Sequence, residues 1–179
     1  MKQSDAIRRL NEYDRKGRYV FTAGDMGRVF HEDTPRGRQA TLARLVASGI
    51  LERPAKGVYL YGMSKNKGPD TVELIARALR RGEYSYISLE SALSEYGIIS
   101  QIPINRISLM TTGRKGEYST PYGVIEFTHT KRRPAQILSG VQDRNRPLKI
   151  ATVQTALRDL KRVGRNTHLV DEDALNEYR

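Results

Sequence analysis

The sequence predicts an α+β chain in two parts: a small front domain of helices closed by a β-hairpin, and a longer mixed domain with a small, mainly antiparallel sheet. Three observations carry that expectation. Apolar residues recur at helical spacing up to Val46, and two short β-rich runs then flank a loop containing Gly57. The polar, breaker-rich stretch GMSKNKGP follows at 62–69, and beyond it helical and strand patterns alternate. The expected organisation is therefore a front domain over 1–62, a linker over 63–69 and a second domain over 70–179.

The front elements follow in order. Residues 4–16 place Ile7 and Leu10, with Ala6 and Tyr13 nearby, on a short amphipathic helix that starts with capping chemistry and stops before Gly17. Residues 19–21 suit a brief strand. Thr22 and Asp25 have the spacing of a capping box, in which each side chain satisfies the other's free backbone donor, and Met26, Val29 and Phe30 continue as a second helix. His31-Glu32-Asp33 then makes a tight link.

Over 34–61, Thr34 can cap a third helix, Pro35 suits its first position and Gly49 can end it in a left-handed conformation. Leu42, Leu45 and Val46 fall on one face, and Arg36, Gly37, Ala40, Thr41, Arg44 and Ser48 fall on the other at about 100° per residue. A small, basic face suits close approach to a groove, with arginines donating to phosphate oxygens or guanine edges. Residues 50–53, a turn over 54–57 and residues 58–61 read as the hairpin, with Arg53 and Lys56 at its tip. Helix, strand, helix, short turn, helix, hairpin is the order of a winged helix-turn-helix. The competing reading is an amphipathic helix with a solvated basic face.

Composition points the same way. The formal net charge is +11, the isoelectric point is near 10.0, and the cationic excess is denser before residue 69. Such a balance favours a polyanionic partner, since each cation set against a phosphate releases a condensed counterion. There is no cysteine, which excludes disulfides and thiolate metal sites and is compatible with a reducing cytoplasm. No apolar run approaches the roughly 18 residues of a membrane span, and the N-terminus lacks the apolar core of a signal peptide. The expected location is the cytoplasm, with no membrane partner.

In the second part, helices are expected over 70–81, 88–97, 152–163 and 171–178, and strands over 106–112, 124–130 and 148–150. Pro121-Tyr122-Gly123 marks a turn, and the segment from Lys131 to Pro147 reads as a loop. The cluster Lys131-Arg132-Arg133 could contact phosphates or a partner, or be solvated.

Three stretches resemble the AbiEi antitoxins of type IV toxin–antitoxin and abortive-infection systems: RQATLARLVASGILERPAKGVYLY, YSYISLESALSEYGII and IATVQTALRDL, with ISLMTTGRKGEY and YGVIEFTH between them as a strand pair. The resemblance spans nearly the whole chain. It implies a winged-helix domain that represses its own operon by binding upstream repeats in duplex DNA, as a monomer in solution or a dimer on DNA. It also implies a C-terminal domain that counteracts a nucleotidyltransferase-like toxin. Carried over by position, DNA binding falls on Thr34, Arg36, Arg38, Gln39, Thr41 and Arg44, with Arg53 and Lys56 in the wing. The alternative is a module that masks a toxin directly, with DNA binding secondary.

Enzyme signatures are weak. His31, His129 and His168 stand far apart in no metal-binding spacing, and neither a phosphate-binding loop nor a nucleophile elbow is present. Pro69-Asp70 and Asp159-Leu160-Lys161 superficially match a nuclease pattern, but Asp159 falls in a helical period. The expectation is a non-enzyme with no catalytic residues, metal or cofactor.

Overall fold

The computed structural model describes residues 1–100 and 104–179, and the chain is mixed α+β. It divides into two compact units, Met1–Leu79 and Arg80–Arg179.

The first unit runs α1 (Gln3–Arg15), β1 (Val20–Thr22), α2 (Ala23–Val29), α3 (Pro35–Ala47), β2 (Leu51–Ala55), β3 (Val58–Tyr61) and α4 (Thr71–Leu79). Its antiparallel sheet has the order β1-β3-β2, with Phe21 opposite Tyr59 and Leu51 opposite Tyr61. The core lies between sheet and helices, where Leu10, Phe21, Met26, Phe30, Leu45 and Leu60 are fully buried. The capping box at Thr22 and Asp25 is formed, with reciprocal bonds of 2.9 and 3.0 Å. By contrast α1 begins after Lys2 with no side-chain cap.

The hairpin turn is tighter than the sequence suggests. Pro54 and Ala55 belong to edge strand β2, and the register against β3 shifts between Glu52 and Ala55. Proline has no N–H for the ladder, so an edge-strand irregularity is where it is tolerated. Gly62 packs so closely on the end of α3 that an added Cβ would lie 2.5 Å from the Gly49 carbonyl oxygen.

The expected linker is a fastened strap. The Asp14 carboxylate accepts hydrogen bonds from Ser64 Oγ and from Asn66 Nδ2 (3.0 Å), and Asn66 also bonds the Asp14 carbonyl at 2.7 Å. Burial pushes the Asp14 pKa up, but the Ser64 and Asn66 bonds outweigh it and hold the carboxyl below the usual aspartate range. Helix α4, expected in the second domain, packs on β1 and β3, and Tyr19 and Thr71 share a buried 2.8 Å hydroxyl bond. The division between units therefore falls after Leu79, beyond the 63–69 segment.

The second unit runs β4 (Ser85–Ile87), α5 (Leu89–Glu95), β5 (Arg106–Thr111), β6 (Gly116–Thr120), β7 (Gly123–His129), α6 (Pro134–Leu138), β8 (Val141–Gln142), β9 (Lys149–Ala151), α7 (Val153–Val163) and α8 (Glu172–Asn176), with a 3-10 turn at Thr167–Leu169. Its sheet is larger and more mixed than expected: six strands in the order β6-β7-β5-β4-β9-β8. The β4–β9 and β5–β7 pairs are parallel and the other three antiparallel. Strand β6 comes between the two expected strands in sequence and pairs as an edge strand with β7 through the turn at Pro121-Tyr122, so β5 and β7 meet in parallel. Helices α5 and α7 pack together, and α5 also covers β5.

Ion pairs brace this unit. Glu90 receives Arg165 through two bonds (2.7 and 3.1 Å) and Asn166 at 2.9 Å. Arg165 also pairs with Glu126, which meets Arg106 at 2.9 Å, and Arg106 reaches Glu117 at 3.0 Å. Ser88 does not cap α5 with its side chain; its hydroxyl donates to buried Asp159 at 2.8 Å, beside the Tyr86 hydroxyl at 2.9 Å.

Candidate nucleic-acid interface

Helix α3 starts where the sequence places it. The Thr34 hydroxyl oxygen accepts from the Gly37 N–H at 3.1 Å, Pro35 occupies the first turn, and Gly49 follows the helix with φ +75°. Leu42 and Leu45 are buried against the core, and α3 packs on β2.

Beyond Pro35 and Gly37, which are also exposed in the first turn, the exposed residues of α3 are Arg36, Gln39, Ala40, Ala43, Arg44 and Ala47. At 100° per residue they fall within roughly 140° of arc, so they form one face. Three alanines run along its middle, Gln39 and Arg44 border it on opposite sides, and Arg36 stands at its first turn. Ala43 and Ala47 are absent from the face expected from the sequence, which held Gly37 and Ala40 as its small residues.

Two expected contacts are displaced. Thr41 is 2% exposed, and its hydroxyl donates to Asp33 Oδ2 at 2.7 Å. That bond, with help from the Met1 ammonium at 3.2 Å, holds the Asp33 carboxyl below the usual aspartate range. The reason is angular: Thr41 is one turn before Leu45, so it borders the buried face and locks the α2–α3 connection. Arg38 is half-buried and turned toward α2, where a Cβ on Gly27 would lie 3.5 Å from its guanidinium carbon.

Among the remaining cations, Arg36 has no acidic partner among the described residues, and Arg44 donates to the Met1 carbonyl at 2.5 Å. On the hairpin Arg53 and Lys56 are exposed, with the Arg53 guanidinium 5.8 Å from the centre of the Tyr59 ring. Glu52, the nearest acid on β2, is held by Lys67 at 2.9 Å. The face is thus positive and weakly neutralised.

No family model matches the chain, and no curated protein matches it. Among solved structures there is a likeness in fold. The RV2827C protein from Mycobacterium tuberculosis superposes with a TM-score of 0.51 at 17% identity, covering 80% of this chain and 50% of that one. The chain thus spans about half the length of that relative, and at this identity the likeness speaks to the fold alone.

In the second unit, Lys131 and Arg132 line a cavity together with Arg158 and Arg162 of α7. Arg133 does not line it; its N–H donates to Gln136 Oε1 at 3.1 Å as α6 begins. Arg158 and Arg162 escaped the sequence reading because their spacing looked like the solvated side of a helix. Among the described residues no group of three or more His, Cys, Asp or Glu side chains is arranged to hold a metal ion, and no helix is long and apolar enough to cross a membrane.

Proposed function

We propose that the first unit is a winged helix-turn-helix that binds duplex DNA through α3, and that the chain is a non-enzymatic autorepressor and antitoxin. The observation that carries the DNA reading is the exposed face of α3, with Ala40, Ala43 and Ala47 along its middle and Arg36, Gln39 and Arg44 around them. A major groove about 12 Å wide admits a helix whose central side chains are methyl groups, while arginine and glutamine at the borders reach base edges or phosphates. Arg53 and Lys56 act as the wing's backbone contacts. The antitoxin role rests on the resemblance of YSYISLESALSEYGII and IATVQTALRDL to the AbiEi antitoxins, and its partner is a nucleotidyltransferase-like toxin.

The test is a footprint on the DNA immediately upstream of the protein's own gene, titrated with salt. Four phosphate contacts give a slope of log affinity on log salt of roughly −3 to −4. Arg36→Ala and Arg44→Ala each weaken binding by about 1–3 kcal/mol if they read bases, and equally on all sequences if they touch only phosphate. Operator affinity unchanged in the double variant overturns the assignment. The same variant, co-expressed with the toxin, keeps its protection of growth if neutralisation is independent of DNA binding.

A further inference from the structure

The second unit holds a cavity of about 670 Å³ between the segment after β7 and the first three turns of α7, a volume in the range of small-molecule sites, about 300–1,000 Å³. Lys131 and Arg132 face it from one side, Arg158 and Arg162 from the other, and Thr152 and Gln154 lie at the start of α7 between them. No carboxylate lines it. Asp159, beside Arg158 on α7, is 1% exposed; its Oδ2 accepts from Tyr86 and Ser88, and Oδ1 pairs with Arg158 at 3.6 Å.

Arg106, Arg146 and Arg165 are each clamped by glutamates, whereas Lys131, Arg132 and Arg162 have no acidic partner among the described residues. Gly140 keeps the floor open: its backbone is ordinary, but a Cβ there would lie 2.5 Å from Thr155 Oγ1. The Thr152 hydroxyl is engaged with the Thr155 N–H and hydroxyl, and the start of α7 sets the positive end of its helix dipole beside the same lining.

We propose that this cavity binds an oligophosphate: the di- or triphosphate of a small molecule, or inorganic pyrophosphate. A terminal phosphate carries about 1.5–2 negative charges near neutral pH and a bridging one about one, so a di- or triphosphate presents roughly three to four charges to the four cations of the lining. The lining has no aromatic ring, hence no platform on which bases of a single strand would stack. Arginine forks supply paired donors to phosphate oxygens, and the lysine a mobile point charge.

The experiment is calorimetric titration of the full chain with pyrophosphate and, separately, with adenosine triphosphate, without divalent metal and at matched ionic strength. Saturable one-to-one binding is expected. Lys131→Gln/Arg162→Gln, two exposed positions, weakens it at least about tenfold, and Arg162→Glu abolishes it. Arg36→Gln/Arg53→Gln/Lys56→Gln leaves it unchanged, so loss of DNA binding and loss of this site are separately read. Equal affinity for the two probes identifies the phosphates alone as the ligand, and tighter nucleotide binding adds the nucleoside. Three results overturn the proposal: no saturable binding at millimolar probe, equal binding in wild type and the cavity variants, or an oligonucleotide that needs these residues and is not displaced by pyrophosphate.

Discussion

Helices α3 and α7 are built alike and present their cations differently. Each starts on a threonine, Thr34 or Thr152, whose hydroxyl oxygen accepts a backbone N–H three residues on, and each buries an apolar face. On α3 the opposite face stands open as a ridge, with alanines at its centre and arginines at its edges. On α7 the segment carrying Lys131 and Arg132 comes together with Arg158 and Arg162, so the cations line an open-mouthed cavity. A ridge fits into a groove and a cavity takes a compact ligand, and the two proposals accordingly assign similar charge in two shapes to two classes of anion.

The sharpest way to break this comparison is Ala43→Glu, which puts a carboxylate at the centre of the α3 ridge. A like charge against phosphates costs several kcal/mol, so duplex binding is lost, while pyrophosphate binding and the melting temperature hold because Ala43 is exposed. Duplex affinity within about twofold of wild type, measured by fluorescence anisotropy, removes the ridge from the interface.

A second prediction concerns why the cavity's cations stand out. Arg106, Arg146 and Arg165 of the second unit are paired with glutamates, and Glu90 is the most buried acid around Arg106 and Arg165. Glu90→Gln leaves Arg165 with Glu126 alone. Removing one partner of a buried pair costs about 3–5 kcal/mol; since Arg165 is 36% exposed, about 1–3 kcal/mol is expected after allowing for solvent screening. The loss is read as faster amide exchange in α5 and β7. Burial pushes the Glu90 pKa up, but the bonds from Arg165 and Asn166 outweigh it, so its folded value lies below the ordinary 4.5. Its stabilisation is therefore complete above about pH 4.5 and lost as pH falls through the folded value, and Glu90→Gln flattens that part of the acid-unfolding profile.

The same contrast explains what was legible beforehand. Local chemistry was: the box at Thr22 and Asp25, the Thr34-Pro35 start of α3, the Gly49 stop and the helix after Thr152 all follow from spacing along the chain. Non-local chemistry was not. Thr41 turns inward because Asp33 waits there, Ser64 and Asn66 form a strap because Asp14 does, and Glu-Tyr-Ser-Thr becomes β6 only because β7 offers an edge. Likewise Arg132 and Arg162 share a cavity although some thirty residues of chain separate them, and no spacing rule joins them.

The smallest effects separate a helix cap from a ligand contact. Replacing a threonine cap by alanine costs about 1 kcal/mol, so Thr34→Ala and Thr152→Ala should lower stability by similar amounts. Their binding consequences differ. Thr34 Oγ1 serves only Gly37 among the described residues, so Thr34→Ala leaves pyrophosphate affinity alone. Thr152 Oγ1 accepts from the Thr155 N–H at 3.2 Å and bonds the Thr155 hydroxyl at 3.0 Å while lining the cavity. Thr152→Ala should therefore weaken pyrophosphate binding a few-fold beyond its effect on stability, and Thr152→Ser, which keeps the hydroxyl, should restore both. If Thr152→Ala melts lower yet binds pyrophosphate as tightly as wild type, its hydroxyl is a cap alone, and the cavity's affinity must come from its lysine and arginines.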